Sequence, residues 1–265
     1  IAQSPRSSFN QGVKDKMGKG RILYRWRAHA VLLLLLFTPP SFAQLLKYNI
    51  TGSYSWYPYF IANQPEAPGM VSELIPLILS LANIEGENLS LPPKRTNNAL
   101  ETGQLDFDVV SPSWFTDQDF GPLFVKSDPI MPITEYVVTR PENVESFKEV
   151  AEIKGKQIGT VRGYLYHDDK EFIRVDFTSE QELIKALDKH RITAIISGNY
   201  PALYWSNKLK IPVGLAAVHS DGVLVLRLRK EHADLLPALN HAIAQLKADG
   251  KVEQIIQKYT QAFAS

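Results

Sequence analysis

Apolar positions recur along this chain at two periods, and the switches between them mark out its elements. Leu46, Tyr48 and Ile50 fall on every second residue, the spacing of a strand with one buried face. After a loop spanning residues 52–69, Val71, Leu74, Ile75, Ile78, Leu81 and Ala82 share one face of a helix, with Pro76 tolerable only near its first turn. Leu89 and Leu91 suggest a second strand closed by Pro92-Pro93. A short helix over Thr96–Thr102 follows, stopped by Gly103, and then a third strand over 105–110. Further strands are expected over 133–139, 156–161 and 191–196, and a helix from Ser179, where Glu182 completes a capping box. Past Gly222 the run VLVLRLR alternates again and leads into two helices, one carrying Leu239, Ile243 and Leu246, the last Val252, Ile255 and Tyr259. Strands alternating with helices predict an α/β fold.

The first forty residues follow another pattern. Lys19, Arg21, Arg25 and Arg27 precede an apolar run from Ala30 to Phe37, and a small residue, Ala43, closes the segment. That order predicts a secretory signal peptide over 1–43, cleaved after Ala43. A membrane-spanning helix needs about 20 apolar residues, and Pro39-Pro40 interrupts this run much earlier. Residues 1–16 are polar, precede Met17 and read as an over-extended start.

Cleavage changes the electrostatics. Residues 1–43 hold seven of the chain's 29 Lys/Arg and one of its 28 Asp/Glu, which leaves 22 and 27, a net charge of about −5. The mature chain is acidic and carries no basic stripe interleaved with aromatics, so nucleic acid is not an expected partner. Cysteine is absent, which excludes disulfides and a lipid anchor on a cysteine after the signal. A secreted chain without either anchor is expected in a periplasm.

No nucleophile elbow, phosphate loop or dinucleotide fingerprint occurs, so no catalytic residue and no cofactor is expected. His167-Asp168-Asp169 is the one tripeptide that suggests a metal. Adjacent residues seldom converge on an ion without distant partners, so it reads as a solvated loop, and no metal is expected.

The order of blocks is more specific than any one of them. GSYSWYPYF, GMVSELI, ALETGQLDFDVV, SDPI, KGKQIGTVRGY, LIKALDKHRITAII and LLPALNHAIAQLKADGKVEQIIQKY follow one another over nearly the whole mature chain. Together they resemble the type II extracellular solute-binding proteins, in the branch that includes polar amino-acid binding proteins of ABC transporters. The resemblance implies a type II periplasmic binding protein fold: two α/β lobes joined by two hinge strands, near Tyr136–Thr139 and His219–Val223. It places residues 44–137 with 219–265 in lobe 1 and 138–218 in lobe 2. A small polar solute would be trapped between them by a monomer that does no covalent chemistry. The implied partner is an ABC permease. The alternatives are a membrane sensor to which the ligand is presented and, more remotely, a dehydratase-like enzyme using Asp119 or Glu73. Glu73 otherwise reads as a structural residue that orders its neighbouring loop.

Two anchors of amino-acid binders are missing. Asp119 stands where a Thr-x-x-Arg pattern would supply the clamp for an α-carboxylate, and Gly198-Asn199 stands where an Asp would meet the α-amine. The ligand is therefore not expected to be a simple α-amino acid. Candidate ligand-binding residues lie on the loops that follow strands. They are Trp56 and Tyr57 for stacking, with Tyr54 and Tyr59 less central; Arg95 as a planar cation; Ser113 and Trp114; Arg162 and Tyr164 beside Gly163; and Asn199. Arg95 and Arg162 point to an anionic or planar solute.

Overall fold

The computed structural model describes residues 45–50 and 56–261; the expected signal peptide over 1–43 and Tyr54 lie outside the described residues. The strands are β1 (Leu45–Asn49), β2 (Glu85–Asn88), β3 (Phe107–Val110), β4 (Phe124–Lys126), β5 (Met131–Thr139), β6 (Gln157–Val161), β7 (Ile173–Phe177), β8 (Ala194–Gly198) and β9 (Gly214–Arg229). The α-helices are α1 (Met70–Leu81), α2 (Pro93–Glu101), α3 (Glu180–Asp188), α4 (Asn199–Leu209), α5 (Leu236–Ala248) and α6 (Lys251–Thr260). The strands join in the order β2-β1-β3-β9-β5-β8-β6-β7, with β4 also on β9. Pairing is parallel within β2-β1-β3 and within β8-β6-β7, and antiparallel wherever β5 or β9 takes part.

Two bodies result, because the buried residues of β5 and β9 divide between different cores. Met131 and Ile133 of β5, with Leu224, Leu226 and Leu228 of β9, pack with α1, α5 and α6. Farther along the same strands, Val137 and Ala217 pack with Phe147, Ile158 and Ile196, while Val138 packs with Leu183, Leu187 and Ile195. In this second body the period-two alternation sends Ile195 to one face of the sheet and Ala194 and Ile196 to the other, so both faces are covered. The chain therefore crosses from body to body along β5 and back along β9.

The crossing is not regular. Glu135 pairs with Ser220 but Tyr136 pairs with Val218, so His219 is an extra residue on β9, and a second shift follows between Tyr136 and Val138. Such bulges twist a strand and re-aim side chains. His219 and Ser220, at the bulge, are consecutive and both buried.

Several elements differ from the pattern-based expectation. The second strand lies at Glu85–Asn88, where every residue is exposed, because it is a sheet edge with no apolar face to read. Leu89 and Leu91 instead half-bury against Ala99, Leu100 and Leu105. Residues 162–172 are turns and irregular backbone held by Arg174. β4, β7 and α4 are additional elements. Ser179 caps α3 as expected, its hydroxyl accepting from the Glu182 amide at 3.4 Å, while the Glu182 carboxylate pairs with Lys185.

Candidate functional site: a closed cleft around Glu135

Where the two bodies face each other, a cavity is lined by Trp56, Asn97, Val110 and Trp114 of the first, Gly163, Tyr164 and Leu165 of the second, and Glu135 of β5. It is narrow, about 30 Å³. The reason is direct contact between its walls. Tyr57 stacks on Tyr204 with ring centroids 4.5 Å apart, and Thr116 donates to the His167 carbonyl at 3.4 Å. A Cβ at Gly163 would stand 3.0 Å from the Lys94 backbone nitrogen, at a φ of +86°. A guest larger than a few atoms requires the bodies to part.

The first wall is aromatic and has unmet polar capacity. Trp56 stacks on Tyr59 at 4.5 Å and meets Trp114 edge-on at 6.3 Å. The Trp114 indole Nε1–H and the Tyr59 hydroxyl are buried without a hydrogen-bond partner among the described residues. A buried donor left unsatisfied costs about 1–3 kcal/mol, which a polar guest could recover. Asn97 is fixed from behind: its Oδ1 accepts from Arg227 Nη2 at 3.0 Å, and Arg227 forms a two-pronged buried pair with Asp108 at 2.9 and 2.6 Å.

The second wall depends on Arg174 of β7. Its guanidinium donates to the carbonyls of Tyr164 at 2.9 Å and Val161 at 3.1 Å while pairing with Asp169 and Asp176. That fixes the turn carrying Gly163 and Tyr164, and the Tyr164 hydroxyl donates to the buried Glu180 at 2.6 Å. Neither β7 nor the role of Arg174 was anticipated from the sequence.

The floor carries the charge. Glu135 is 7% exposed and accepts from the Ser220 hydroxyl at 2.8 Å. His219, with a fully buried side chain, meets Asp168 through Nε2 at 2.9 Å, while its Nδ1 lies 3.9 Å from Glu135, a charge neighbour beyond hydrogen-bond reach. Burial pulls the His219 pKa down, but the Asp168 bond and the two carboxylate charges outweigh it and raise it to about 9. No Lys or Arg is among the cleft's lining residues.

Of the residues expected from the sequence, Trp56, Trp114 and Tyr164 come together on this cleft. Tyr57 packs beside it, against Tyr204 and Trp205. The Ser113 hydroxyl bonds to that of Ser111 at 2.8 Å, directly over Gly222. Asn199 begins α4, its side chain accepting from the Tyr200 amide at 2.8 Å. Arg95 is exposed on the first turn of α2. Arg162 is exposed and lines a separate groove of about 200 Å³ with Asn49, Pro92, Pro93 and Thr178. Sequence reasoning missed Asn97, Val110, Glu135 and Leu165. Glu135 had a signal: it shares the apolar face of β5 with Met131, Ile133 and Val137, where a carboxylate needs a reason to be.

Comparisons with known proteins agree on architecture. No family model and no curated protein matches the chain. Among solved structures, a mutant of ArgBP from T. maritima is 18% identical with a TM-score of 0.65, over 82% of this chain and 95% of that one. AbpA of Streptococcus pneumoniae, bound to L-arginine, is 17% identical with a TM-score of 0.66, over 83% and 96%. The GluR0 ligand-binding core of Nostoc punctiforme, in complex with L-glutamate, is 16% identical with a TM-score of 0.65, over 82% and 98%. The division of β5 and β9 between two cores and these likenesses lead to one conclusion: the chain has the two-lobed α/β fold of the type II periplasmic binding proteins.

Proposed function

We propose that this chain is a periplasmic solute-binding protein that holds a small cationic or donor-rich solute between its lobes and hands it to an ABC permease. The lobes are residues 44–137 with 219–265, and 138–218, after removal of a signal peptide over 1–43. The observation that carries the reading is the composition of the closed cleft: Trp56, Trp114 and Tyr164 around buried Glu135, with no basic side chain among the lining residues. A solute cation would face Glu135 and the tryptophan rings, and its polar groups would meet Asn97 and the unpartnered Trp114 Nε1. This departs from the anionic solute that Arg95 and Arg162 suggested, because neither lines the cleft. It also fits the missing α-carboxylate clamp, since Asp119 lies in an exposed turn and accepts from the Gly121 amide.

The mechanism is selection of the closed form. The lobes part far enough to admit the guest and then close until both walls touch it, so the guest stabilises that guest-filled closed form. A shift from mostly open to mostly closed takes about 5.5 kcal/mol of differential affinity. One charge-assisted bond at about 1.5–3 kcal/mol and a desolvated cation–π contact at about 2 kcal/mol supply most of that. No covalent step is involved: Glu73 is engaged by Tyr259 and Lys258 and Asp119 by its own turn, both away from the cleft.

Calorimetry on the mature chain with amines, quaternary ammonium compounds, guanidines, carboxylates, phosphates and α-amino acids tests the reading, paired with X-ray scattering for compaction. Binding confined to cations, with compaction, is expected. Binding confined to carboxylates or phosphates would overturn it.

A further inference from the structure

The geometry points to a divalent-metal site made by His167, Asp168 and His219 on the flank of the crossing strand. One ligand atom from each of these residues lies within 4.8 Å of the other two. His219 Nε2 and Asp168 Oδ1 are 2.9 Å apart, and the two imidazole rings lie 4.9 Å apart at a tilt of 38°. Two ligands on a tetrahedral Zn²⁺ with bonds of about 2.0 Å stand about 3.3 Å apart, so small rotations of exposed His167 would bring the trio onto one ion. Neighbouring Asp169 is already engaged by Arg174 and is not counted as a ligand.

A second observation concerns the other ring nitrogen of His219. The His219 side chain is fully buried, and its Nδ1 has no hydrogen-bond partner among the described residues. The nearest carboxylate to that nitrogen is Glu135, at 3.9 Å. A metal on Nε2 would displace the proton shared there with Asp168 and leave the ring neutral with its proton on Nδ1, and a small ring shift would let Nδ1 donate to Glu135. This carboxylate–imidazole–metal relay is the arrangement that orients metal-bound histidines. Access exists as well, because the cluster opens into a side cavity of about 730 Å³ lined by Thr116, Tyr166 and Lys154. Two imidazoles and one carboxylate suit Zn²⁺ and its first-row neighbours better than Ca²⁺ or Mg²⁺. Three protein ligands leave one position for water facing that cavity. The ion would tie the 162–172 loop of the second lobe to the bulge on β9.

A second cluster, Asp106, Glu231 and His232, serves as the internal control. It is more exposed, and both oxygens of Glu231 already accept from Arg229 at 2.9 Å. The mature chain, stripped with chelator and titrated with Zn²⁺, is expected to take up one ion, and Co²⁺ should give the absorption of a tetrahedral site. His167→Ala and Asp168→Asn should each weaken uptake at least about tenfold, and Asp106→Asn should leave it unchanged. His167 is exposed, so its variant is expected to fold, which circular dichroism checks. No uptake by the wild-type chain, uptake unaffected by either of the first two variants, or loss in Asp106→Asn would each overturn the site. Zn²⁺ is read without any solute, so failure here leaves the cleft reading untouched.

Discussion

Two openings lie between the same pair of lobes, and they differ in how their walls are built. The central cleft is bounded by rings and by a carboxylate inside a sheet, with the Tyr164 backbone held by Arg174 and the Asn97 side chain by Arg227. The groove beside it is bounded by Pro92, Pro93 and Thr178, with exposed Arg162 on its rim. A cation on a rim stays solvated, and its interactions are screened. A carboxylate on a buried face has lost water and needs replacement partners. The difference teaches that position relative to the sheet, and not frequency in the loops, sets how far a charge is stripped of water.

Glu135→Gln is the strongest way to break that comparison. The amide retains the shape and can still accept from Ser220, but the negative charge goes. Affinity for a cationic solute should fall by about 1.5–3 kcal/mol, roughly 10- to 150-fold by calorimetry. An unchanged Kd would remove the central cleft from the binding reaction.

Closure comes next. Gly163→Ala places a methyl 3.0 Å from the Lys94 backbone nitrogen, at a φ that costs an L-residue about 1–2 kcal/mol. Solute affinity should drop about tenfold, and scattering should show a chain that compacts less on ligand addition. Tighter binding in this variant would mean that the lobes do not need to meet at Gly163.

Arg162→Ala sharpens the contrast from the other side. The groove is expected to be a by-product of the closed lobes, so this substitution should change cationic solute affinity less than about twofold, as rim charges do. A tenfold loss would move the site from the cleft to the groove.

The same contrast explains what could be read in advance. Regular stretches of strand were legible: the alternation over 133–139 falls within β5, and VLVLRLR lies in β9. The front of β9 was harder. Bulges place His219 and Ser220 on the buried side in succession and erase the period of two just where both lobes share the strand. Trp56, Trp114 and Tyr164, which line the cleft, were singled out because aromatics after strands are conspicuous. Asn97 was not, because its position depends on Arg227, far along the chain. His167 and Asp168 looked like a solvated loop because their partner His219 is brought to them only by the fold, across a separation of 51 residues from Asp168.

The smallest expected effect concerns Glu73, which lies outside both openings and whose structural role sequence reasoning anticipated. Its carboxylate accepts from the Tyr259 hydroxyl and from Lys258, each at 2.5 Å, joining α1 to α6. Partial burial raises its pKa, but these hydrogen bonds and the positive charge of Lys258 outweigh that and hold it below the ordinary 4.5. A carboxyl whose folded pKa lies below its unfolded one binds fewer protons in the native state above that lower value. Its stabilisation is therefore complete above the unfolded pKa and disappears as pH falls through the folded one. The wild-type chain should lose stability in acid over that window, and Glu73→Gln should flatten the loss slightly while leaving solute affinity unchanged. Denaturant unfolding at a series of pH values measures it, and an identical acid limb in both chains would mean that α1 and α6 are held together by their apolar faces alone.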